Sequence, residues 1–384
     1  MQFMGYKRPY GRVGVRNHVV VMPGVLCSDV AVRRVVQAIP DAVYLFNPQG
    51  CVDNRELTLE NISGMLANPN VYSALIIGNG CESVLERDYL DAIERKSPGK
   101  RIEYITIQGE GGLGKAVLRG CEIVRDMLIE ASKCVREPCD VSELMIGLEC
   151  GGSDPTSGLS ANAALGLVSD RIVDLGGTTV ISETSECIGA EHIMRARGAT
   201  PEIGDAIYNA ICHREQVFRD AGMDIRDSNP SAGNIRSGLT TLEEKSLGCV
   251  NKSGSRPFTG CFKYGELVTV KGAVFMETGA YDPISTAGEI AGGCQLVVFT
   301  SGMGNPMGNA IAPVLKITGN HGTAQRLTDI IDFDTSANLR GEKLLSEVAD
   351  ELFQLVLDVA NGRPTFAELN QADVMLLDQY MMGC

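Results

Sequence analysis

The chain has 384 residues, 44% of them apolar and 21% charged, which suits a globular protein of two or three domains and excludes a disordered one. With 48 acidic against 34 basic residues its formal charge is −14, so it lacks the basic footprint of a nucleic-acid binder, and an anionic substrate needs positive charge supplied locally. No run approaches the ~20 apolar residues that span a bilayer.

The opening MQFMGYKRPYGRVGVRNH has no apolar stretch behind its charges, so no signal peptide is expected. The expectation is a cytoplasmic protein whose 13 cysteines serve as thiols, metal ligands or redox groups rather than disulfides.

In chain order, strand-length apolar runs rich in Val and Ile recur at 19–22, 42–46, 74–77, 102–107, 144–148, 178–181 and 295–299. They are nearly continuous, as strands buried on both faces are. Helical patterns at 29–38, 85–95, 114–129 and 161–175 alternate with them, and 341–357 reads as an amphipathic closing helix. This alternation predicts an α/β fold of mainly parallel, Rossmann-like sheets with flanking helices in two domains. The polar stretch 130–142, with Pro138, sets the boundary: one α/β domain over 1–138, another over 139–384. A turn-forming segment at 227–238 reads as a functional loop.

Four strands run into a cysteine within a few residues, at Cys27, Cys51, Cys81 and Cys150. Open α/β sheets bind ligands beyond the carboxyl ends of their strands, and thiolates favour iron, iron–sulfur clusters or zinc. One such cysteine is ordinarily a small buried hydrophobe. Four of them beside glycines point to a shared site. No Cys-x-x-Cys pair occurs, so a zinc ribbon is not expected.

Glu149-Cys150-Gly151-Gly152-Ser153-Asp154, followed by Ser157-Gly158 and Ala161-Asn162, reads as strand, glycine turn, cap and helix start. The free N–H groups of such a start suit a carboxylate or phosphate. The run from Gly109 to Lys115 nearly matches a phosphate-cradling loop, but Ala116 stands where a hydroxyl must hold magnesium. Beyond the strand at 178–181, Glu183 and Glu186 reach the same edge as general-base candidates or as ordinary helix-start acids. Lys245 and Lys252 flank Cys249 and could neutralise a substrate carboxylate, although a solvated turn is the commoner fate of such lysines. The segment from Phe299 through Thr300, Ser301 and Gly302 to Asn305 opens a strand into a glycine loop. Lys316, in the apolar context VLKIT, needs a partner or a task. Neither His-Glu-x-x-His nor Gly-x-Ser-x-Gly occurs.

Taken together, Gly5-Tyr6-x-Arg8-x-x-Gly11-Arg12-Val13-Gly14-Val15-Arg16-Asn17, then Gly80-Cys81-Glu82, then the block from Cys150 to Asn162, resemble the altronate/galactarate dehydratase family. Glu244-Lys245-x-Leu247-Gly248, the Phe299–Gly304 loop and Pro313-x-x-Lys316 add to the match, which runs collinearly through nearly the whole chain. That family also includes the large subunit of a sulfolactate sulfo-lyase.

The resemblance implies an iron-dependent lyase that removes the proton α to a carboxylate and expels a β leaving group, water or sulfite. A metal or positive cluster must stabilise the enediolate-like charge that develops. Iron, as Fe2+ or an iron–sulfur cluster, is expected on Cys27, Cys51, Cys81 and Cys150, which fall on family cysteines, whereas Cys249 does not. Lys245, Lys252 and Lys316 are the expected charge-neutralising groups. Glu82, Glu183 and Glu186 are the expected proton-transfer groups, with Ser153 and Asp154 in the catalytic turn. Arg16, Asn17, Gly151, Gly152, Asn162, Thr300, Ser301 and Asn305 are the expected substrate contacts.

Two departures stand out. Sugar-acid dehydratases usually show His-x-Tyr-Gly-Cys-Gly, where this chain has Asn47-Pro48-Gln49-Gly50-Cys51-Val52, and Phe-Thr-Thr-Gly-Arg-Gly, where it has Ser301 and Met303. A smaller hydroxy-acid substrate, 3-sulfolactate, and a non-catalytic anion-binding role stay open as alternatives. Gly5-Tyr6 begins the large module almost at once, so the family's small amino-terminal domain is expected as a separate subunit, and the chain itself as a homo-oligomer.

Overall fold

The computed structural model describes residues 1–51 and 55–377. β1 (Gln2–Lys7) and β2 (Val13–Gly14) pair antiparallel. β3 (His18–Pro23), β4 (Val43–Tyr44), β5 (Val71–Gly78) and β6 (Arg101–Thr106) then form a parallel sheet in the order β4-β3-β5-β6. Alternation along these strands decides which helices cover which face. Val19, Val21, Leu75 and Ile77 pack against the helices Asp29–Ala38 and Leu113–Ala131. Val20, Met22, Ala74 and Ile76 pack against Arg55–Ala67 and Glu86–Lys96.

β7 (Glu137–Asp140) returns antiparallel to β1, so a boundary after residue 138 falls inside a strand that stitches the second half to the chain start. β8 (Met145–Cys150), β9 (Thr178–Ile181), β10 (Phe258–Phe262), β11 (Gly272–Met276), β12 (Leu296–Thr300), β13 (Val314–Thr318) and β14 (Phe333–Asp334) complete the set. They form a second parallel sheet ordered β10-β11-β9-β8-β12-β13-β14. β9, β11, β12 and β13 are buried along their whole length, as strands covered on both faces must be. The expected fold class, parallel α/β sheets with flanking helices, is what the chain adopts.

Strand order reverses within each parallel sheet. β3 leads to β4 on one side and has β5 on the other; β8 leads to β9 on one side and has β12 on the other. Ligand crevices in parallel sheets form outside the carboxyl ends at such reversals. In the first sheet that rim carries Cys27, Cys51 and Cys81. In the second it carries the Gly151 turn and the Ser301 loop, joined by Gly151 N–H donating to the Thr300 carbonyl at 3.0 Å.

Two helices lie side by side between the sheets: Arg55–Ala67, beyond the Cys51 rim, and Asp282–Ala291, beyond β11. Their carboxyl-terminal ends meet. A Cβ at Gly64 would strike the Ala291 carbonyl, and Asn68 Nδ2 donates to the Ile290 and Cys294 carbonyls at 2.9 Å each. A shared core of Ile62, Val84 and Tyr89 with Ala287, Met307 and Ile311 seals the joint. No described helix is long and apolar enough to cross a membrane.

Candidate active site

At the first rim the Cys27, Cys51 and Cys81 thiols are all exposed. Local desolvation, then the neighbouring Cys27 and Cys81 thiols, push the Cys51 thiol above the usual thiol range, and Cys27 hydrogen-bonds it. The Leu26 N–H donates to the Gln49 carbonyl at 2.8 Å, pinning the Cys27 turn to the Cys51 loop. Cys81 is positioned by Glu82, whose carboxylate accepts the N–H groups of Asn79, Gly80 and Cys81 at 3.1, 2.7 and 2.9 Å and the Tyr104 hydroxyl at 2.6 Å. Burial pushes Glu82 up, but these bonds outweigh it and hold the carboxyl below its usual range. Glu82 thus folds the thiol loop and is committed there, in place of the expected proton transfer. Gln49 is buried with both side-chain amide atoms unpartnered among the described residues.

Cys150 does not join this trio. It is buried at the end of β8, with its sulfur 3.4 Å from that of Cys249. Lys252 Nζ lies 3.0 Å from the Cys150 sulfur and 3.1 Å from that of Cys249, and forms an ion pair with Glu183. Both charged side chains are fully buried. Glu183 also accepts the Cys150 N–H at 3.0 Å. Its backbone is left-handed (φ 59°), a strained state for a non-glycine residue, fixed by Thr278 Oγ1 accepting the Glu183 N–H at 2.8 Å. Burial raises Glu183 to about 7 against the pull of Lys252. The Cys249 hydrogen bond and burial raise Cys150. Burial lowers Lys252, but the two thiols and Glu183 outweigh it and keep the lysine charged. Three ligand atoms here, from Cys150, Glu183 and Cys249, lie within 4.8 Å of one another, yet the lysine ammonium already touches all three residues.

The centre of the second rim is Asp282. Its carboxylate oxygens stand 2.5 and 2.8 Å from where a Cβ on Gly151 would be, so any side chain there would have to displace the carboxylate. Asn305 Nδ2 donates to it at 2.7 Å. Burial pushes Asp282 up to about 6, with Lys316 and Lys245 pulling down and Glu186 pushing up. Beside it, Lys245 Nζ donates to Glu186 Oε1 and Asn229 Oδ1 at 2.8 Å each, and Asn229 Nδ2 donates to Glu186 at 3.0 Å. Burial lowers Lys245, but Glu186 outweighs it and keeps the ammonium charged, while the second Glu186 oxygen is buried without a partner among the described residues.

Lys245 and Cys249, four residues apart on the helix Leu242–Val250, line a cleft of ≈ 290 Å³ whose other wall includes Ser153, Ser157 and Asn162. A second cleft of ≈ 380 Å³ runs past Asp282, Asn305 and Met307.

The remaining expected residues support this rim or lie elsewhere. Asp154 caps its own turn, accepting from Thr156 Oγ1 at 2.6 Å, Ser157 N–H at 3.1 Å and Asn320 Nδ2 at 2.8 Å. The Ser153 carbonyl accepts from Asn234 Nδ2 at 2.9 Å, tying the 227–238 segment to the turn. Asn162 accepts from Thr300 Oγ1 at 2.6 Å and donates to the Gly248 carbonyl at 3.0 Å. Ser301 Oγ accepts the Gly304 N–H at 2.9 Å, and Gly152, with φ 60°, accepts the Met303 N–H at 2.9 Å.

Lys316 is fully buried over the Phe299 ring and donates to the Met307 carbonyl, so it braces the Asn305 loop from behind. Burial lowers it to about 7. Arg16 and Asn17 precede β3 and sit at the opposite, amino edge. Arg16 is consumed by Glu368 at 2.7 Å and by the Val15, Val359 and Arg363 carbonyls; Asn17 bridges Arg8 and the Ala131 carbonyl. They join the two halves instead of meeting substrate.

Asp282, Asn229 and Cys249 are absent from the expected set. For Asp282 a signal existed: Tyr281-Asp282-Pro283, a few residues beyond the apolar run at 273–276.

A parallel α/β protein with a carboxylate, an ammonium and a glycine turn converging at a strand-order reversal has the equipment of an acid–base enzyme. The family comparisons narrow that class. The model described as "D-galactarate/Altronate dehydratase, C-terminal" matches residues 141–382, and "D-galactarate dehydratase/Altronate hydrolase, second domain" matches 5–132. The chain is 36% identical to the (2R)-sulfolactate sulfo-lyase subunit beta of Chromohalobacter salexigens, over 95% of this chain and 94% of that one. It is 32% identical to the altronate dehydratase of Bacillus subtilis (96% and 76% covered). It is 30% identical to the galactarate dehydratase (L-threo-forming) of Escherichia coli (95% and 74%). This chain belongs to the D-galactarate/altronate dehydratase family, and it is a lyase.

Proposed function

We propose that this protein takes the α-proton from a hydroxylated sugar acid and expels water from the β-carbon, with Asp282 as the proton acceptor. The observation that carries this reading is Asp282 itself: a partly exposed carboxyl near neutral pKa, held by Asn305 against the Gly151 turn at a strand-order reversal. A base poised near the working pH is the efficient choice for such a step. Lys245 neutralises the substrate carboxylate and the charge that grows on it during proton loss. Glu186 and Asn229 hold its ammonium in place.

Iron, as Fe2+ or an iron–sulfur cluster, fits Cys27, Cys51 and Cys81, three exposed thiols with a buried Gln49 amide in the same loop that has no partner among the described residues. Thiolates suit it, and when bound it would supply Lewis acidity at this rim. The reducing cytoplasm is where such thiols persist.

A second reading, release of sulfite from 3-sulfolactate, is favoured by the near-complete coverage of the sulfo-lyase subunit and by Asn47 and Gln49, where polyol-acid enzymes usually carry His and Tyr. Because that relative is a beta subunit, we include a separate small partner chain in the proposal.

The test incubates anaerobically purified, iron-loaded protein, alone and with its co-purifying partner, with altronate, galactarate and 3-sulfolactate deuterated at the α-carbon. Loss of deuterium with formation of a keto acid supports the dehydratase; sulfite release supports the second reading. Asp282→Asn is expected to lower turnover by about 10²–10⁴-fold, the contribution of a positioned base. A smaller than threefold drop overturns the role of Asp282.

A further inference from the structure

The pair Cys150–Cys249 has no part in the proposed elimination, yet its geometry is specific. The two sulfurs are 3.4 Å apart, on elements far apart in sequence: the end of β8 and the helix Leu242–Val250. No described cysteine is in a disulfide. Cys249 lines the ≈ 290 Å³ cleft, which gives a small oxidant a route to an otherwise buried thiol. Lys252 Nζ touches both sulfurs, so whichever thiol gives up its proton has an ammonium 3.0–3.1 Å away to hold the thiolate. That lysine also argues against a metal here, since its ammonium already stands among the three ligating residues.

We propose that Cys150 and Cys249 form a reversible disulfide that draws the Leu242–Val250 helix onto the Gly151 turn and disables the cleft. With hydrogen peroxide as oxidant, the Cys249 thiol reacts first, giving a sulfenic acid and one water. The Cys150 sulfur then attacks the Cys249 sulfur; the S–S bond forms, the S–O bond breaks, and hydroxide leaves with the Cys150 proton as a second water. Two thiols are oxidised and one peroxide is reduced. A dithiol reverses the bond by thiol–disulfide exchange.

A disulfide spans about 2.05 Å between sulfurs. Closing from 3.4 Å therefore moves the helix against a wall that has no slack, because a Cβ on Gly158 would already meet the Gly248 Cα at 3.0 Å. Lys245 is one turn away on the same helix and shifts with it from Glu186 and Asn229. The bond itself follows from the thiol geometry alone; its effect on turnover rests on the role given to Lys245 under the proposed function.

The experiment treats the full-length native protein with graded peroxide, quenches it, and denatures and alkylates the remaining thiols. It then reduces, applies an isotopically distinct alkylator, and maps peptides. The expected result is paired second-label incorporation at Cys150 and Cys249, 2 Da lighter than two thiols before reduction and erased by dithiothreitol beforehand. In Cys249→Ala, Cys150 gains no second label. Over the same series turnover falls at least tenfold in proportion to this cross-link and returns as the bond is reduced. Peptides in which both cysteines carry only the first label, at peroxide levels that oxidise the exposed trio, overturn the proposal. So does a complete cross-link with turnover intact. If the reduced protein turns over none of the three acids, the proposed elimination fails while the peptide map still decides whether the bond forms.

Discussion

The two thiol groups occupy equivalent places, each at the strand-order reversal of a parallel sheet, yet they are built for opposite ends. Cys27, Cys51 and Cys81 lie open, and the Glu82 carboxylate beside them is spent on backbone N–H groups. Cys150 and Cys249 are buried, and Lys252, paired with Glu183, touches both sulfurs. What decides a thiol's chemistry here is whether the protein brings its own cation. Where Lys252 is present the charge closes internally. At the open trio no lysine is bonded to a thiol among the described residues, and that is where the proposed iron would be held.

The largest effect that tests this contrast comes from Lys252→Met. It strands a buried carboxylate, and removing one partner of a buried pair costs roughly 3–5 kcal/mol. Glu183 can escape by taking a proton, so the loss measured by chemical denaturation is expected to be smaller at pH 5 than at pH 8. An equal loss at both would mean that Lys252 does not balance Glu183.

Next is Gly151→Ala, whose methyl meets the Asp282 carboxylate at 2.5 Å. Overpacking of this kind costs about 1–3 kcal/mol. We expect turnover to fall with stability, and an alanine variant of wild-type rate would place the chemistry away from this turn.

A finer test uses Glu289, fully buried behind Glu183 and bonded to Ser182 at 2.9 Å. Burial raises it from an ordinary 4.5 to about 8. The folded state therefore keeps a proton that the unfolded chain has lost, and stability falls as pH rises from about 4.5 to about 8. Glu289→Gln removes that slope. Its melting temperature relative to wild type should climb across the window and level off above it.

The smallest effect on stability belongs to Cys51→Ser. Exposed as it is, its cost should stay within about 0.5 kcal/mol. Iron retained after anaerobic reconstitution, read by metal analysis and absorbance, should drop to background. Full retention there, with loss instead in a Lys252 or Cys150 variant, would invert the comparison.

Much of the fold could be read from the residues because buried parallel strands write themselves as apolar runs. The 178–181 run is β9, and the 29–38 pattern is the helix Asp29–Ala38. β1 and β7 escaped notice because each is short, half-exposed and interrupted by glycine or proline, so neither shows a clean period. Strand ends could be read as a place for thiols, but which thiols meet depends on sheet assignment. Cys51 and Cys150 look alike in sequence and end on different sheets. Cys249 escaped because its partner is 99 residues away and nothing local marks the meeting. Arg16 and Asn17 drew attention through the family-like opening run, but they precede β3, and that places them at the amino edge of its sheet.

The abutment of Gly64 on Ala291 leaves no room for a side chain at that seam. With two helix ends in contact there and Asn68 bonded across it, the two halves meet over a packed joint. A side chain inserted at position 64 would act as a wedge in that joint, so engineering meant to leave it intact belongs in the loops of the rims.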